Sequence, residues 1–76
     1  MKAGDKVTIG RTTFIILKMV KLKENINDYS EYIQVGETYP VILESDVNGD
    51  YINYLIVNRE HGKQYFNSDI FDEVIE

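Results

Sequence analysis

The chain has 76 residues, a formal net charge of −5, no cysteine and 43 % hydrophobic residues. A chain of this length buries only about 60 % of its unfolded surface, so we expect a single domain, residues 1–76, with a well-filled core or a second subunit; disulfides and thiolate zinc sites are excluded. The apolar run Phe14–Leu17 is too short to span a membrane and no signal-peptide pattern is present, so the sequence predicts a soluble cytoplasmic protein.

Charge is distributed unevenly along the chain. Residues 1–23 carry six of the eight basic side chains and one acid, whereas residues 24–76 carry twelve acids and two basic side chains. This asymmetry predicts either two oppositely charged surfaces or neutralisation within the fold. Phosphate contacts need clustered Lys and Arg, so direct nucleic-acid binding is not expected of the acidic part.

A β-hairpin is predicted at the start of the chain. Lys6–Ile9 alternates as a short strand, and Gly10-Arg11 suits a two-residue turn that needs a positive φ at its first position. The following run, Thr12–Leu22, is apolar on both faces where it begins. It is therefore predicted as one strand that is covered on both sides or that pairs with a partner.

The next segment, Glu24–Val35, is compatible with two structures. Ile26, Tyr29 and Ile33 have a helical spacing, which would fit one or two turns of helix. The polar remainder of the segment fits a long loop, and Gly36 ends the segment in either case.

The second half of the chain predicts a meander of strands. An Asn48-Gly49 turn joins the first two strands, and a single helical turn capped by Ser68 or Asp69 precedes the last one. The strands are predicted at Thr38–Glu44, Tyr51–Val57, Lys63–Phe66 and Asp72–Ile75. A small closed or half-closed barrel would remove exposed sheet edges.

This layout resembles the SH3-like β-barrels, including small ones encoded by bacteriophages. Gly4-Asp5-Lys6-Val7 matches the opening strand, residues 10–36 an enlarged first loop with its own hairpin, and Gly36-Glu37-Thr38-Tyr39 the start of the central meander. The resemblance implies a mainly β fold, an SH3-like barrel of five to six short antiparallel strands whose first strand lies near the last. The chain has no Trp, so the resemblance does not imply recognition of proline-rich peptides.

No catalytic residue is predicted. His61 is the one histidine, and its neighbour Glu60 is expected to be solvated in a turn. General acid–base or nucleophilic catalysis needs a second group held within hydrogen-bonding distance. The sequence therefore predicts a protein that is not an enzyme.

No metal site or cofactor is predicted either. Asp46, Asn48 and Asp50 have the spacing of the first half of a calcium-binding loop. The full motif needs Gly at its sixth position and Glu at its twelfth, where this chain has Tyr51 and Val57. A polar hairpin turn is the interpretation that the residues favour.

Tyrosine is abundant, with six residues. Tyrosine supplies either core volume or an apolar surface with a hydroxyl group that tolerates water. Tyr39, Tyr54 and Phe66 are predicted in the core, and Tyr29, Tyr32 and Tyr51 on the surface.

The acidic side chains lead to the first functional hypothesis. In this hypothesis the protein is a non-enzymatic, acidic protein-binding effector, a phage-type inhibitor in the host cytoplasm. It mimics nucleic acid, with carboxylates in place of phosphates, and blocks a DNA-binding replication or transcription protein that has a basic surface. The predicted partner-binding residues are Glu44, Asp46, Asp50, Tyr51, Asp69, Asp72 and Glu73.

Two other interpretations remain open. The main alternative is a generic SH3-like interaction or assembly module that uses tyrosines and strand edges, with Thr12–Leu22 pairing to a partner or to a second copy in a homodimer. A weaker one is nucleic-acid binding through Arg11, Lys18, Lys21 and Lys23. The SH3-like resemblance also implies a competing neutral arrangement, in which the early lysines pair with late acids. The residues in that arrangement are Lys2, Lys6, Asp72, Glu73 and Glu76.

Overall fold

The computed structural model describes residues 2–23, 32–47 and 51–75, and for Val47 and Tyr51 it describes the backbone. Within these residues the chain is mainly β, as predicted, with a single 3₁₀ turn at Ser68–Ile70. The strands are β1 (Lys6–Ile9), β2 (Thr12–Ile15), β3 (Lys18–Leu22), β4 (Thr38–Val47), β5 (Tyr51–Val57), β6 (Lys63–Asn67) and β7 (Phe71–Val74).

The strands form two antiparallel sheets. β1 and β2 form a separate hairpin, and the other five strands are ordered β6-β5-β4-β3-β7. Among the described residues no strand joins the outer edges of β6 and β7, so these strands make an open sheet rather than a closed barrel. The predicted first strand does not lie beside the last: β1 pairs with β2, and β7 pairs with β3.

The predicted single strand Thr12–Leu22 is wrong, because the chain changes sheets in its middle. Ile16 still belongs to the hairpin side, since its N–H donates to the Asp5 carbonyl and its carbonyl accepts from Gly4 N–H, both at 2.8 Å. Leu17 N–H donates to the Val41 carbonyl in the other sheet, also at 2.8 Å. The run is apolar on both faces because it serves two sheets in succession.

The five-stranded sheet buries apolar side chains on both of its faces. We call the face that bears Val20, Val41 and Ile56 the front face, and the face that bears Leu55 and Val57 the back face. The front core consists of Val20, Leu22, Ile33, Tyr39, Val41, Ile56, Phe66, Ile70 and Phe71. Phe66 and Phe71 meet edge to face, with ring centroids 6.0 Å apart, an arrangement that aromatic rings favour.

The back face carries a smaller cluster that the β1–β2 hairpin covers. Ile42, Leu55 and Val57 are buried there, and Val7, Ile9 and Phe14 of the hairpin pack against them. A β-bulge in β4 between Val41 and Leu43 places Ile42 and Leu43 against the single residue Leu55. The bulge therefore returns Glu44 to the front face, opposite Tyr54.

A buried tyrosine fastens the loop that precedes β4. The Tyr39 hydroxyl accepts a hydrogen bond from Gln34 N–H at 2.7 Å and donates one to Glu37 at 3.0 Å. Arg59 Nε lies 3.7 Å from the same Glu37 carboxylate. Burial raises the pKa of the Tyr39 phenol, and the backbone hydrogen bond from Gln34 opposes that rise.

The tyrosine predictions have mixed outcomes. Tyr39 and Phe66 are buried as predicted, and Tyr54 is half-buried against the front core. Tyr32 is exposed, as predicted. Tyr29 lies outside the described residues, as do the rest of residues 24–31 and the Asn48-Gly49 turn.

The predicted turn before the last strand is confirmed, with a different cap. Asn67, rather than Ser68 or Asp69, caps the 3₁₀ turn, because its side-chain oxygen accepts from Asp69 N–H at 2.8 Å. β7 consequently begins at Phe71, one residue before the predicted strand.

Candidate functional site

Three of the predicted acidic residues lie on the front face, at the margin of the front core. Glu44 is opposite Tyr54, and Asp46, two residues further along β4, shares its face. Glu73 in β7 is opposite Val20 of β3, a front-core residue. The bulge and the register therefore bring together acids that are about thirty residues apart in sequence.

Lys18 lies between two of these acids. Its Nζ is 2.6 Å from Glu44 Oε1 and 3.6 Å from Glu73 Oε1, and it lies 5.2 Å from the centroid of the Tyr54 ring. The hydrogen bond to Glu44 raises the pKa of Lys18 above 10.5, whereas desolvation lowers it. The lysine therefore stays protonated at neutral pH and offsets part of the negative charge of the two carboxylates.

The other predicted partner-binding residues do not join this group. Asp72 is opposite Lys21, on the back face, and Asp69 is exposed in the 3₁₀ turn. Tyr51 begins β5 opposite Val47, and Asp50 lies outside the described residues. The predicted partner-binding residues are therefore divided between the two faces and one end of the sheet. Asp72 and Glu73 both lie in β7, the strand at one edge of the sheet.

A groove that the sequence analysis missed adjoins the end of β7. It has a volume of about 370 Å³, and its lining consists of five apolar and two charged residues: Ala3, Leu17, Met19, Val74, Ile75, Lys18 and Glu73. Leu17 is 48 % exposed and Ile75 is 90 % exposed, so apolar surface faces solvent here. The sequence contains one signal for this groove: Leu17 immediately precedes β3 and Ile75 immediately follows β7, at positions where polar turn residues are usual.

A second exposed apolar surface lies on the back face beyond the hairpin. Leu43 and Tyr65 are both opposite Leu55, one on each side of it, and they are 45 % and 54 % exposed. They form a short row across β4, β5 and β6. Lys63, at the hairpin end of the same face, lies over the Phe14 ring, with Nζ 5.5 Å from its centroid.

His61, the one histidine of the chain, lies in the turn between β5 and β6. His61 is exposed and has a φ of 61°. The Asn58 side chain organises this turn by accepting from the N–H groups of Glu60 and Gly62, each at 3.0 Å. Within the described part of the chain, no group of three or more His, Asp or Glu side chains is placed to hold a metal ion.

Comparisons with known proteins found no match, so the function is inferred from the fold and from these surfaces. No protein-family model matches the chain, and no curated protein or solved structure matches it significantly. In the described residues no helix has the length and apolar character that crossing a membrane requires. The structure defines a small, mainly β protein of two antiparallel sheets, with an acidic strand and an apolar groove at one sheet edge.

Proposed function

We propose that this protein is a non-enzymatic protein-binding effector whose partner presents a basic surface. The observation that carries the proposal is the position of the acids at one side of the sheet: Asp72 and Glu73 on the outermost strand, and Asp69 immediately before it. All three are exposed. Exposed acids on the outermost strand of a sheet steer a partner of opposite charge and give binding that weakens with salt.

The narrower form of the hypothesis is a phage-type inhibitor that imitates nucleic acid. It requires carboxylates that follow one another as phosphates do, and Lys18 between Glu44 and Glu73 interrupts such a row on the front face. The structure therefore supports binding of a basic protein surface more than imitation of a phosphate backbone. In the narrower form, double-stranded DNA added to the complex displaces the partner.

The SH3-like interpretation belongs to the same proposal. Three features support it: the β4–β5–β6 meander, the 3₁₀ turn after β6, and a last strand that returns to β3. In that arrangement β3 takes the place of the opening strand, and the β1–β2 hairpin precedes the domain's central sheet. Modules of this kind bind partners on their surfaces without cofactor chemistry, which is the function proposed here.

The test compares charge reversals at two exposed sites. The protein is immobilised, a bacterial lysate is passed over it, and bound protein is eluted with a salt gradient. Glu73→Lys is expected to lower the salt concentration at which the partner elutes. Glu60→Lys is the matched control, because it makes the same change of charge in the turn between β5 and β6. Equal elution of both variants and the unaltered chain, or elution that salt does not affect, would contradict the proposal.

A second function is supported by the apolar row on the back face. Leu43 and Tyr65 expose large side chains beside the edge strand β6, so this surface could instead assemble copies of the chain. In that case Tyr65→Ser changes the molecular mass found by analytical ultracentrifugation, whereas Glu73→Lys does not. A monomer at all concentrations excludes assembly and leaves the first function in place.

A further inference from the structure

The outer edge of β7 carries backbone groups that its own sheet does not use. Lys23 N–H donates to the Ile70 carbonyl at 3.0 Å, which marks residue 70 as directed towards β3. The backbone N–H and C=O groups of successive residues point alternately to the two sides of an antiparallel strand. Those of Asp72 and Val74 therefore also point towards β3, and those of Glu73 point away from it. Among the described residues no strand pairs with that side of β7. Such an edge is a template for a further strand.

The groove provides a place for one side chain of that added strand. It lies at the end of β7, and its apolar lining includes the buried Met19 together with Leu17, Val74 and Ile75. An extended segment that pairs with Glu73 has side chains on alternate sides, so one aliphatic side chain can enter the groove. Backbone hydrogen bonds would then supply affinity, and the groove would supply selectivity.

The charge of β7 selects the chemistry of the occupant. Asp72 and Glu73 are exposed on opposite faces of the strand. Lys21 is opposite Asp72, whereas Lys18, at 3.6 Å from Glu73, makes its closer contact with Glu44 and leaves Glu73 the less compensated acid. Like charges on directly opposed residues are destabilising. A second copy that paired antiparallel through β7 would place these acids close to their own counterparts, which disfavours self-association and favours a basic segment.

We propose that β7 binds an extended, basic segment of a partner protein as an added strand, with one aliphatic side chain in the groove and Lys or Arg beside Glu73 on the front face. The inference rests on the proposed function and adds to it the site and the mode of binding. It requires that the segment have free backbone N–H groups, that it be positively charged, and that it contact Glu73 and Leu17.

Three synthetic peptides test these requirements. The first alternates valine and lysine over eight residues, the second replaces each lysine by glutamate, and the third is the first with alternate backbone nitrogens methylated. Affinity is measured by calorimetry, and the site by amide chemical shifts of the ¹⁵N-labelled chain. We expect the largest shifts at Glu73, Val74, Ile75 and Leu17. We also expect at least about ten-fold weaker binding of the methylated peptide, because its strand hydrogen bonds are lost.

Variants locate the effect in β7. Glu73→Lys is expected to weaken the valine–lysine peptide about five-fold or more, and Glu60→Lys much less, although both change the net charge equally. Leu17→Ser tests the groove separately, because Leu17 lines the groove and lies outside both neighbouring strands, and because the substitution leaves the charge unchanged. It is expected to weaken the valine–lysine peptide about three-fold or more. The dispersion of the amide spectrum verifies that each variant is folded. Should Glu73→Lys fail to fold, Glu73→Gln takes its place with Glu60→Gln as its control, since it removes the same carboxylate without adding a second cation near Lys18.

The outcomes separate this inference from the proposed function. If the basic peptide binds but methylation has no effect, or if the shifts lie around Glu44 and Asp46, strand addition is wrong and the proposed function stands. If ultracentrifugation shows a dimer that Glu73→Lys dissociates, the occupant is a second copy and the inference is wrong. If neither the peptide nor a salt-eluted partner binds, both proposals fail.

Discussion

The two faces of the five-stranded sheet are covered in different ways. The front core is formed by side chains from β3 to β7, the 3₁₀ turn and the loop before β4, and Val20, Val41 and Ile56 at its centre have no exposed surface. The back cluster depends on a two-stranded hairpin whose strands, within the described residues, pair with each other and with no third strand. The front core is therefore expected to determine whether the chain folds, whereas the hairpin adds stability to a sheet that is already formed.

The largest expected effect comes from a cavity at the centre of the front core. Ile56→Ala should lower the free energy of unfolding by about 2–5 kcal/mol, because Ile56 is completely buried between β4 and β6. Urea denaturation followed by circular dichroism measures the loss. A loss below about 1 kcal/mol would show that the front core is not the main source of stability.

The corresponding change on the back face should cost less. Phe14 is half-buried under Lys63, so Phe14→Ala is expected to lower the free energy of unfolding by about 1–2 kcal/mol. Hydrogen exchange should show faster exchange of the β1 and β2 amides, while the β3 and β4 amides stay protected. Uniformly faster exchange in both sheets would mean that the two faces unfold as one unit.

A smaller effect is expected where the front core holds the loop before β4. Tyr39→Phe keeps the ring but removes the hydroxyl group that binds Gln34 and Glu37, so it should cost about 1 kcal/mol. In the unaltered chain, the raised pKa of Tyr39 means that the unfolded chain loses the phenol proton at lower pH than the folded chain. Stability should therefore fall as pH rises above about 10, and Tyr39→Phe should reduce that fall.

The smallest effect is expected at the ion pairs on the front face. Lys18→Met should change stability by only about 0–1 kcal/mol, because the lysine and both carboxylates are partly solvated. The same variant should bind a basic peptide more strongly, because removing the cation leaves the carboxylates of Glu44 and Glu73 uncompensated. Thermal denaturation and calorimetry measure the two effects, and weaker binding by this variant would contradict the assignment of the acids.

Some strands of the two sheets could be predicted from the sequence, whereas their division and their pairing could not. Local patterns located β1, β5 and the 3₁₀ turn, because alternation and turn residues act over a few positions. The division of Thr12–Leu22 could not be predicted, since no Gly, Pro, Asn or Asp marks a turn within these residues, and residues 12–15 and 18–22 are distinguished by the strands that they meet. The bulge in β4 had no local signal either, and it decides which face carries Glu44 and Asp46.

The candidate site was predicted in its residue types more than in its arrangement. Acids at the carboxyl end of the chain were evident, but their neighbours depend on β7 pairing with β3 rather than β1. Because of that pairing, Glu73 forms an ion pair with Lys18 and Asp72 lies opposite Lys21. The SH3-like resemblance had implied Lys2 and Lys6 as their neighbours. The groove was missed because residues 3, 17 and 75 meet only in the folded chain.

The pairing of β3 with β7 has a consequence for the order in which the chain folds. β3 and β7 are about fifty residues apart, and the residues between them include the whole β4–β5–β6 meander. Local hairpins close quickly, whereas a pairing of such long range must wait for its distant strand and carries a larger loop-closure entropy. During refolding, the hairpin and the meander can therefore form first, and the front core can close only after Phe71 has reached β3.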